Sequence, residues 1–430
     1  MLTEAPAKQT AIDEKRPSKL FNRNYVLLWQ GQTVSRLGNQ AFSIALALWI
    51  KQATGSATLM GLILMFSALP AVLLGPLAGA VADRYKRRTI IILSDLIGGI
   101  AVLILAGVML TAPEATNLTL AVLFVVSILL AVITTFFHPA IAAAIPDLVP
   151  EDRLSSANAL GQVSFQLTVF IGQGIGGTLY RILGAPILFL IDGLTYLFSA
   201  VSESFITIPQ TVPEKIPGWR ENLSAFKKDI ILGFRYVWRT PGLRELVLVS
   251  TLLNFFMTPI LILLPFYVED FLRVKPDWYG FLLASYGLGS MLGFVLAGAL
   301  PLSGRKRSWL IVLFIIVEPL GYVALGVWLN PWIALGMTLI GGLISGFVMV
   351  YVTTILQLTT PGDIRGRVFG LLGTLAGALT PLAMGAAGII ADLTGQNIPL
   401  IYIACGVMAA LLAVLMSLKS DFRDYLAYEK

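Results

Sequence analysis

The hydrophobic residues of this chain gather in long stretches that are separated by short polar breaks. A helix that crosses the hydrocarbon core of a bilayer needs about 20 predominantly apolar residues. Because backbone that is not helical cannot face lipid, apolar stretches of this length predict membrane-spanning helices. We place twelve of them at residues 24–50, 58–82, 88–111, 118–142, 155–181, 185–207, 244–269, 277–302, 308–329, 332–358, 366–392 and 396–418.

Composition supports a polytopic membrane protein and excludes several other classes. Of the 430 residues, 57% are hydrophobic and only 13% are charged, and a soluble protein of this length cannot bury so much apolar surface. The single cysteine, Cys405, has no partner for an internal disulfide, and the single histidine, His138, leaves no cluster for zinc. The first twenty residues lack the apolar core of a cleavable signal peptide. We therefore expect no metal and no cofactor.

Positive charge is distributed unequally between the two sets of connections. Of the 30 lysines and arginines, 25 lie in the tails and in connections on one side of the predicted helices, and four lie in connections on the other side. Because cytoplasmic connections carry the excess of Lys and Arg, we predict that both termini are cytoplasmic. We expect the protein to lie in the inner membrane of the cell. The net charge of +6 thus reflects membrane orientation, and no nucleic-acid partner is expected.

One long polar segment, residues 208–243, interrupts the chain at its midpoint. Its apolar residues have helical spacing with basic residues between them, which predicts an amphipathic helix on an anionic membrane surface. A solvated tether is the alternative interpretation. The apolar residues are Leu223, Phe226, Ile230, Phe234 and Trp238.

The two halves of the chain resemble each other at nearly constant offsets. An offset of 219 residues aligns Gly61 with Gly280, and an offset of 211 aligns Gly177 with Gly388. Both halves contain six spans in the same orientation, so we predict an all-α polytopic protein of two parallel six-helix bundles. The predicted organisation is an N-terminal tail at 1–23, a bundle at 24–207, the linker at 208–243, a bundle at 244–418 and a C-terminal tail at 419–430.

One short motif carries a family resemblance. The segment Gly79-x-x-x-Asp83-Arg84-x-x-Arg87-Arg88 resembles the signature between the second and third helices of the major facilitator superfamily, with Lys86 in place of a glycine. The segments 137–140, 191–197 and 365–368 are similar to those of its macrolide-efflux and siderophore-exporter branch of drug:proton antiporters. This resemblance implies twelve helices and transport of small molecules by alternating access.

The resemblance also implies a gate at the basic motif. In the family, the aspartate of this motif contacts the opposite half near the start of the eleventh helix, which corresponds here to a contact of Asp83 with Arg365 and Arg367. Such a cluster would latch the cytoplasmic side. The candidate gating residues are Gly79, Asp83, Arg84, Arg87, Arg88, Arg365 and Arg367.

A run of glycines in the fifth span resembles the helix-5 motif of antiporters, with Gln173 where that motif has proline. Glycines permit close approach of helices. We expect them to contact the corresponding helix of the other half at Gly385 and Gly388. The glycines are Gly172, Gly174, Gly176 and Gly177.

Four ionisable residues lie well inside predicted spans. A charge at the centre of a membrane helix costs about 2.5–3.5 kcal/mol on insertion scales, so it normally has a partner or lines water. Either Asp95 or Asp192 is a possible partner for Arg36, and a structural role for both is the alternative to proton coupling. Glu318 has no basic residue nearby in its own half and is a candidate proton site. The four residues are Arg36, Asp95, Asp192 and Glu318.

The resemblance assigns the first, fourth, seventh and tenth helices to the lining of a central cavity. Aromatic and methionine side chains with a few polar groups suit amphipathic ligands, although helix packing or lipid contact is the alternative for each aromatic residue. The candidate cavity residues are Gln32, Arg36, Asn39, Phe136, Phe137, His138, Asn254, Phe255, Phe256, Met257, Met349, Tyr351 and Gln357.

The sequence thus predicts a secondary transporter, expected to be a monomer, that exports amphipathic small molecules in exchange for protons. Dedicated export or flipping of a siderophore or lysolipid is the alternative among transporters. A membrane-embedded enzyme is the rival from another class, but the scattered carboxylates and single histidine offer no catalytic set. A channel is disfavoured because the halves differ and no ring of charge is evident. The sequence contains no GxxxxGK[ST] motif for ATP.

Overall fold

The computed structural model of the chain describes residues 19–210, 231–232, 234–300, 302–361 and 365–429. The predicted amphipathic residues Leu223, Phe226 and Ile230 lie outside this part, and so do the side chains of Asp83, Arg365 and Arg367. Phe234 and Trp238, at the end of the linker, are exposed and stack on each other.

The described residues form long helices joined by short connections. Ten segments are long and apolar enough to cross a membrane, and one of these, Glu151–Ser204, holds two predicted spans that are separated at Gly184, where φ is 74°. The helix Arg23–Thr54 supplies a further span whose polar residues lower its hydropathy. The predicted all-α, twelve-helix architecture is confirmed. We number the helices α1 (Arg23–Thr54), α2 (Ala57–Arg84), α3 (Arg87–Thr111), α4 (Thr116–Leu148), α5 (154–183), α6 (185–204), α7 (Leu243–Ile262), α8 (Asp277–Ala299), α9 (Gly304–Val327), α10 (Pro331–Thr359), α11 (Arg365–Ala378 and Thr380–Leu393), α12 (Ile398–Ser417) and the short α13 (Ser420–Leu426).

Prolines account for two differences from the predicted boundaries. Helix α7 ends at Ile262, before its predicted end at residue 269, and a π-helical turn follows at Tyr267–Phe271. Pro265 has no backbone N–H to continue the helical hydrogen bonds. Helix α11 is interrupted at Leu379, where Pro381 occupies the first turn of its second segment. Proline is favoured at that position because the first N–H groups of a helix have no partner within it.

The chain divides into two compact units. The first contains the described residues of Met1–Leu46, Pro70–Gly172 and Ile182–Gly218. The second contains Ala47–Leu69, Gln173–Arg181 and the described residues of Trp219–Lys430. The second unit therefore includes the end of α1, the start of α2 and the end of α5, together with helices α7 to α13.

Close packing of α8 against α10 depends on glycines on both helices. A β-carbon at Gly289 would lie 2.0 Å from the carbonyl oxygen of Leu339, and one at Gly342 would lie 2.0 Å from that of Tyr286. Each helix repeats this contact one turn later, at Gly293 and Gly346. The paired G-x-x-x-G spacing brings the two backbones together.

The core of the second unit corrects one sequence assignment. Tyr351, predicted to line a cavity, is buried among apolar residues. Its hydroxyl donates to the carbonyl oxygen of Leu300 and accepts from the N–H of Leu302 at 3.1 Å. The side chain thus satisfies the backbone that follows α8. A phenol that is buried with both hydrogen-bonding functions in use is a packing residue.

Candidate functional site

Helices α1, α4 and α5 of the first unit line an open cavity of about 430 Å³. Its walls combine aromatic rings with amide, hydroxyl and imidazole groups, and Arg36 is the one cationic guanidinium among the lining side chains. Pockets that bind drug-sized ligands typically have volumes of about 300–1,000 Å³. The lining residues are Tyr25, Leu28, Trp29, Gln32, Thr33, Arg36, His138, Ile141, Ala142, Ile145, Ala157, Asn158, Gly161, Gln162 and Phe165.

Two hydrogen bonds fix α1 against α5 beside this cavity. The indole Nε1 of Trp29 donates to Ser164 Oγ at 2.9 Å, and the hydroxyl of Tyr25 donates to the carbonyl oxygen of Ala157 at 3.0 Å. Buried indole and phenol groups require such partners. The aromatic faces of the cavity are therefore held in place by polar contacts at their edges.

Arg36 points into the cavity, and its guanidinium carbon lies 5.7 Å from the ring centre of Phe165. Of the residues that the structure describes, none forms an ion pair with it. The expected neutralisation by Asp95 or Asp192 is wrong. The carboxyl groups of Asp95, on α3, and Asp192, on α6, pack on a different face of α1 from the one that carries Arg36. His138 is exposed on the cavity wall and is electrostatically coupled to Arg36.

Three buried carboxyl groups gather behind α1. Asp192 of α6 lies against Gly38 of α1 and interacts with Asp95 of α3, which in turn neighbours Glu203 at the end of α6. Gln32 of α1 donates from Nε2 to Glu203 Oε1 at 2.6 Å. We call Asp95, Asp192 and Glu203 the carboxyl cluster.

Sequence analysis did not identify Glu203, which lies near the end of the predicted span 185–207. The signal that identifies it is spacing: Asp192, Tyr196, Ser199 and Glu203 follow one another at intervals of three and four residues. Residues at such intervals share one face of a helix. A single polar face on an otherwise apolar helix indicates a buried polar contact.

The other predicted cavity residues of the first half are divided between two environments. Gln32 lines the cavity between α1, α4 and α5 and also reaches the carboxyl cluster. Asn39 instead accepts a hydrogen bond from the hydroxyl of Tyr196 at 2.7 Å. Phe137 packs against an apolar core cluster around Ile141, and Phe136 is half-buried.

In the second unit, Phe255 and Phe256 line a separate, wholly apolar cavity of about 280 Å³ between α7, α11 and α12. Met257 is half-buried, and Asn254 is exposed and donates to the carbonyl oxygen of Ser250 at 3.0 Å. Met349 and Gln357 of α10 are also exposed.

Glu318 of α9 lies among tyrosines rather than charges. Tyr286 of α8 and Tyr322 of α9 are its electrostatic neighbours, and Tyr286 also interacts with Ser345 of α10. No ion pair links Glu318 to any residue in the described ranges. Its candidacy as a proton site remains a prediction.

The basic motif after α2 anchors other helices of its own unit. Arg87 pairs with Asp147 at 2.5 Å and donates to the carbonyl oxygen of Ala143 at 2.9 Å, both on α4. Arg88 donates to carbonyl oxygens at the end of α6, including that of Ile206 at 2.7 Å. Cations at helix C-termini satisfy unpaired carbonyls. Gly79 has open space around it, Arg84 is half-buried, and the predicted partners of Asp83 lie outside the described side chains.

The glycines of α5 contact a different helix from the one expected. A β-carbon at Gly177 would lie 2.7 Å from the carbonyl oxygen of Pro276, at the start of α8, and one at Gly174 would be 3.5 Å from Ala284. The expected contact with α11 at Gly385 and Gly388 is wrong, since these two glycines pack against α2. In the first unit, Gly172 faces Gln40. Gly176, in the second unit, is buried.

Charged residues join helix ends within the second unit. Lys51, at the end of α1, contacts Glu269 at 2.6 Å and Asp270 at 2.8 Å. Arg181, at the end of α5, contacts Asp277 of α8 at 2.8 Å. The carboxylate of Asp392, on α11, accepts from the backbone N–H of Thr58 at 2.9 Å. We call these the distal contacts. They lie at the C-terminal ends of α1 and α5 and at the N-terminal end of α2.

Comparisons with known proteins agree with this architecture. A family model described as Major Facilitator Superfamily matches residues 28–380. The chain is 26% identical over 375 residues to macrolide efflux protein A of Streptococcus pyogenes, with 87% of this chain and 90% of that protein covered. It is 29% identical over 370 residues to the multidrug efflux pump Tap of Mycolicibacterium fortuitum, with 84% and 87% covered. Among solved structures, a bacterial homologue of the iron transporter ferroportin in an inward-facing state has a TM-score of 0.69 at 14% identity, with 93% of this chain and 100% of that chain covered.

Proposed function

Because the chain belongs to the Major Facilitator Superfamily, we propose that it exports amphipathic small molecules across the cytoplasmic membrane in exchange for protons. The observation that carries this proposal is the cavity of α1, α4 and α5, where aromatic rings stand beside a single guanidinium. Large apolar surfaces with a few polar groups suit ligands that combine both characters. The relatives named as a macrolide efflux protein and a multidrug efflux pump support export as the direction.

Transport of this kind requires the binding site to open to one side of the membrane at a time. The distal contacts support such a cycle, because ion pairs and a helix cap are interactions that can break and reform. Lys51 is only 10% exposed in its contact with Glu269. A pair this well shielded is a discrete contact rather than a fluctuating surface pair. We assign the distal contacts to the outer face of the membrane on the basis of the charge asymmetry.

The environment of Arg36 favours a second candidate function, dedicated export or flipping of an amphiphile that carries an acidic group. Arg36 has no carboxylate partner among the described residues. A guanidinium binds carboxylate and phosphate through paired hydrogen bonds. It also repels cationic drugs, unless the ligand contacts the aromatic walls at some distance from it.

Transport by purified protein in liposomes tests both candidates. An imposed pH gradient drives uptake of three probes: a macrolide, a lysophospholipid and a hydroxamate siderophore. We expect concentrative uptake of at least one probe and its loss when an ionophore collapses the gradient. Uptake no greater than in protein-free liposomes for all three would overturn the transport proposal, and uptake that survives the ionophore would overturn proton coupling.

Variants of Arg36 separate the two candidates. If an acidic ligand group binds Arg36, the variant Arg36→Gln loses uptake of the lysophospholipid or siderophore, whereas Arg36→Lys keeps a part of it. If the substrate is a macrolide, Arg36→Gln retains or improves uptake because a like charge has been removed. A matched change at exposed Arg153 controls for the loss of one positive charge.

A further inference from the structure

We propose that Asp95, Asp192 and Glu203 form a shared proton-binding site and that Gln32 couples this site to the cavity. This inference rests on the proposed function, because it names the residues through which proton movement and ligand binding affect each other. It also adds Glu203 and Gln32, which the family motifs do not mark, to the proton pathway.

The burial of the three carboxyl groups is nearly complete. Asp192 is 0%, Glu203 is 1% and Asp95 is 2% exposed. Neither carboxyl oxygen of Asp192 has a hydrogen-bond partner, and one oxygen each of Asp95 and Glu203 also lacks one. A buried, ionised carboxylate without a donor or a cation is costly, so such a group takes up a proton. Like charges in one apolar site also cannot all be ionised.

Among the residues that the structure describes, the groups that face the cluster come from three helices, and none is a cation. Helix α6 contributes Tyr196, whose hydroxyl is engaged by Asn39 of α1, and the hydroxyls of Thr195 and Ser199. Helix α1 contributes the neutral amide of Gln32, while Arg36 points to the cavity. Helix α3 contributes Asp95 itself. Within the described ranges, no group of three or more His, Cys, Asp or Glu side chains is arranged to hold a metal ion.

Gln32 connects the cluster with the cavity. Its side chain is 7% exposed, lines the cavity, and donates to Glu203 Oε1 at 2.6 Å. A ligand that forms a hydrogen bond with the side-chain amide of Gln32 withdraws that amide donor from Glu203. Protonation of Glu203 in turn weakens the hydrogen bond that it accepts from Gln32. Because coupling between two binding events is reciprocal, ligand binding and proton binding then change each other's affinity.

Infrared spectroscopy of the protein in lipid bilayers tests the site without any ligand. Protonated carboxyl groups have a carbonyl stretch that ionised ones lack. We expect this band to persist at pH 7 and to lose intensity in the isosteric variants Asp192→Asn and Glu203→Gln. The variant Glu114→Gln, at an exposed position between α3 and α4, leaves the band unchanged. A wild-type band that is absent at pH 7, or that neither cluster variant reduces, would overturn the proposal.

Transport then tests the coupling. We expect Glu203→Gln to lose gradient-driven accumulation but to keep counterflow, the exchange of labelled for unlabelled probe, which needs no net proton movement. We expect Gln32→Ala to change the dependence of probe binding on pH.

Normal accumulation by Glu203→Gln would overturn the inference while leaving proton-driven export in place. Loss of coupling in Glu318→Gln alone would transfer the proton site to the second half. Absence of any transport by wild-type protein would instead refute the proposed function, with the infrared result unaffected.

Discussion

Gly61 of α2 lies directly against Gly388 of α11, where a β-carbon on Gly61 would stand 3.1 Å from the Cα atom of Gly388. Gly280 of α8 lies in the same way against Gly177 of α5, 3.3 Å from its nitrogen. The sequence repeat aligns Gly61 with Gly280 and Gly177 with Gly388. The two contacts are therefore equivalent under the repeat, which explains why α5 packs on α8 and not on its own counterpart α11.

These glycine contacts predict that an added methyl group opens the distal contacts. In Gly61→Ala the new carbon would meet the carbonyl oxygen of Met384 at 2.5 Å, and in Gly280→Ala it would meet that of Gln173 at 2.3 Å. Such overpacking typically costs about 1–3 kcal/mol. We expect both variants to shift the population towards separated distal ends, as measured by distances between spin labels on α2 and α11. The variants Gly75→Ala and Gly287→Ala, which meet no atom within 4 Å, are the matched controls and should not shift it.

The sequence was sufficient for the number of helices, because lipid imposes both their length and their regular hydrogen bonding. It was insufficient for side-chain direction. A span of apolar residues gives little indication of which face of α1 carries Arg36 to the cavity and which carries Asn39 to Tyr196. The partners of Arg87 and Lys51 were also unpredictable, because they are distant in sequence and follow from helix packing alone.

The pair of Lys51 and Glu269 predicts a second effect on the distal contacts. A hydrogen bond to a charged group typically contributes about 1.5–3 kcal/mol, so Glu269→Gln should weaken the distal contacts by a similar amount. The exchange Lys51→Glu with Glu269→Lys should restore part of the loss, although Asp270 remains beside the new glutamate. Cross-linking between engineered cysteines on α1 and on the turn at 267–271 measures the population. Equal cross-linking in all variants would show that the pair does not hold the two segments together.

Asp392 caps the first turn of α2 from another helix. Its carboxylate accepts from the N–H groups of Ala57 and Thr58 and from the hydroxyl of Ser56. We expect Asp392→Ala to lower the stability by about 1.5–3 kcal/mol and to increase hydrogen exchange at residues 57–60. Asp392→Asn keeps an acceptor oxygen and should lose less. If the two variants exchange equally fast, the cap depends on charge rather than on hydrogen bonds.

The orientation inferred from charge predicts opposite accessibility for two exposed positions. Glu114 lies between α3 and α4, and Lys306 lies in the first turn of α9. In a background with Cys405→Ala, a membrane-impermeant maleimide added to intact cells should label Glu114→Cys but not Lys306→Cys. Permeabilised cells should give labelling of both. The reverse pattern in intact cells would place the termini outside.

Arg307 predicts a role for the C-terminal segment that sequence analysis missed, because it counted this residue only among the 25 basic residues of one side. Arg307 is 6% exposed and donates to the carbonyl oxygens of Leu426, at 3.1 Å, and Tyr428. It thereby holds the end of α13 on α9. We expect Arg307→Gln to expose residues 418–429 to protease in detergent, because removing the guanidinium leaves the carbonyl oxygens of Leu426 and Tyr428 without their donor. The neighbouring Arg305, which is exposed, gives the control Arg305→Gln, and similar cleavage of both variants would refute the anchoring role.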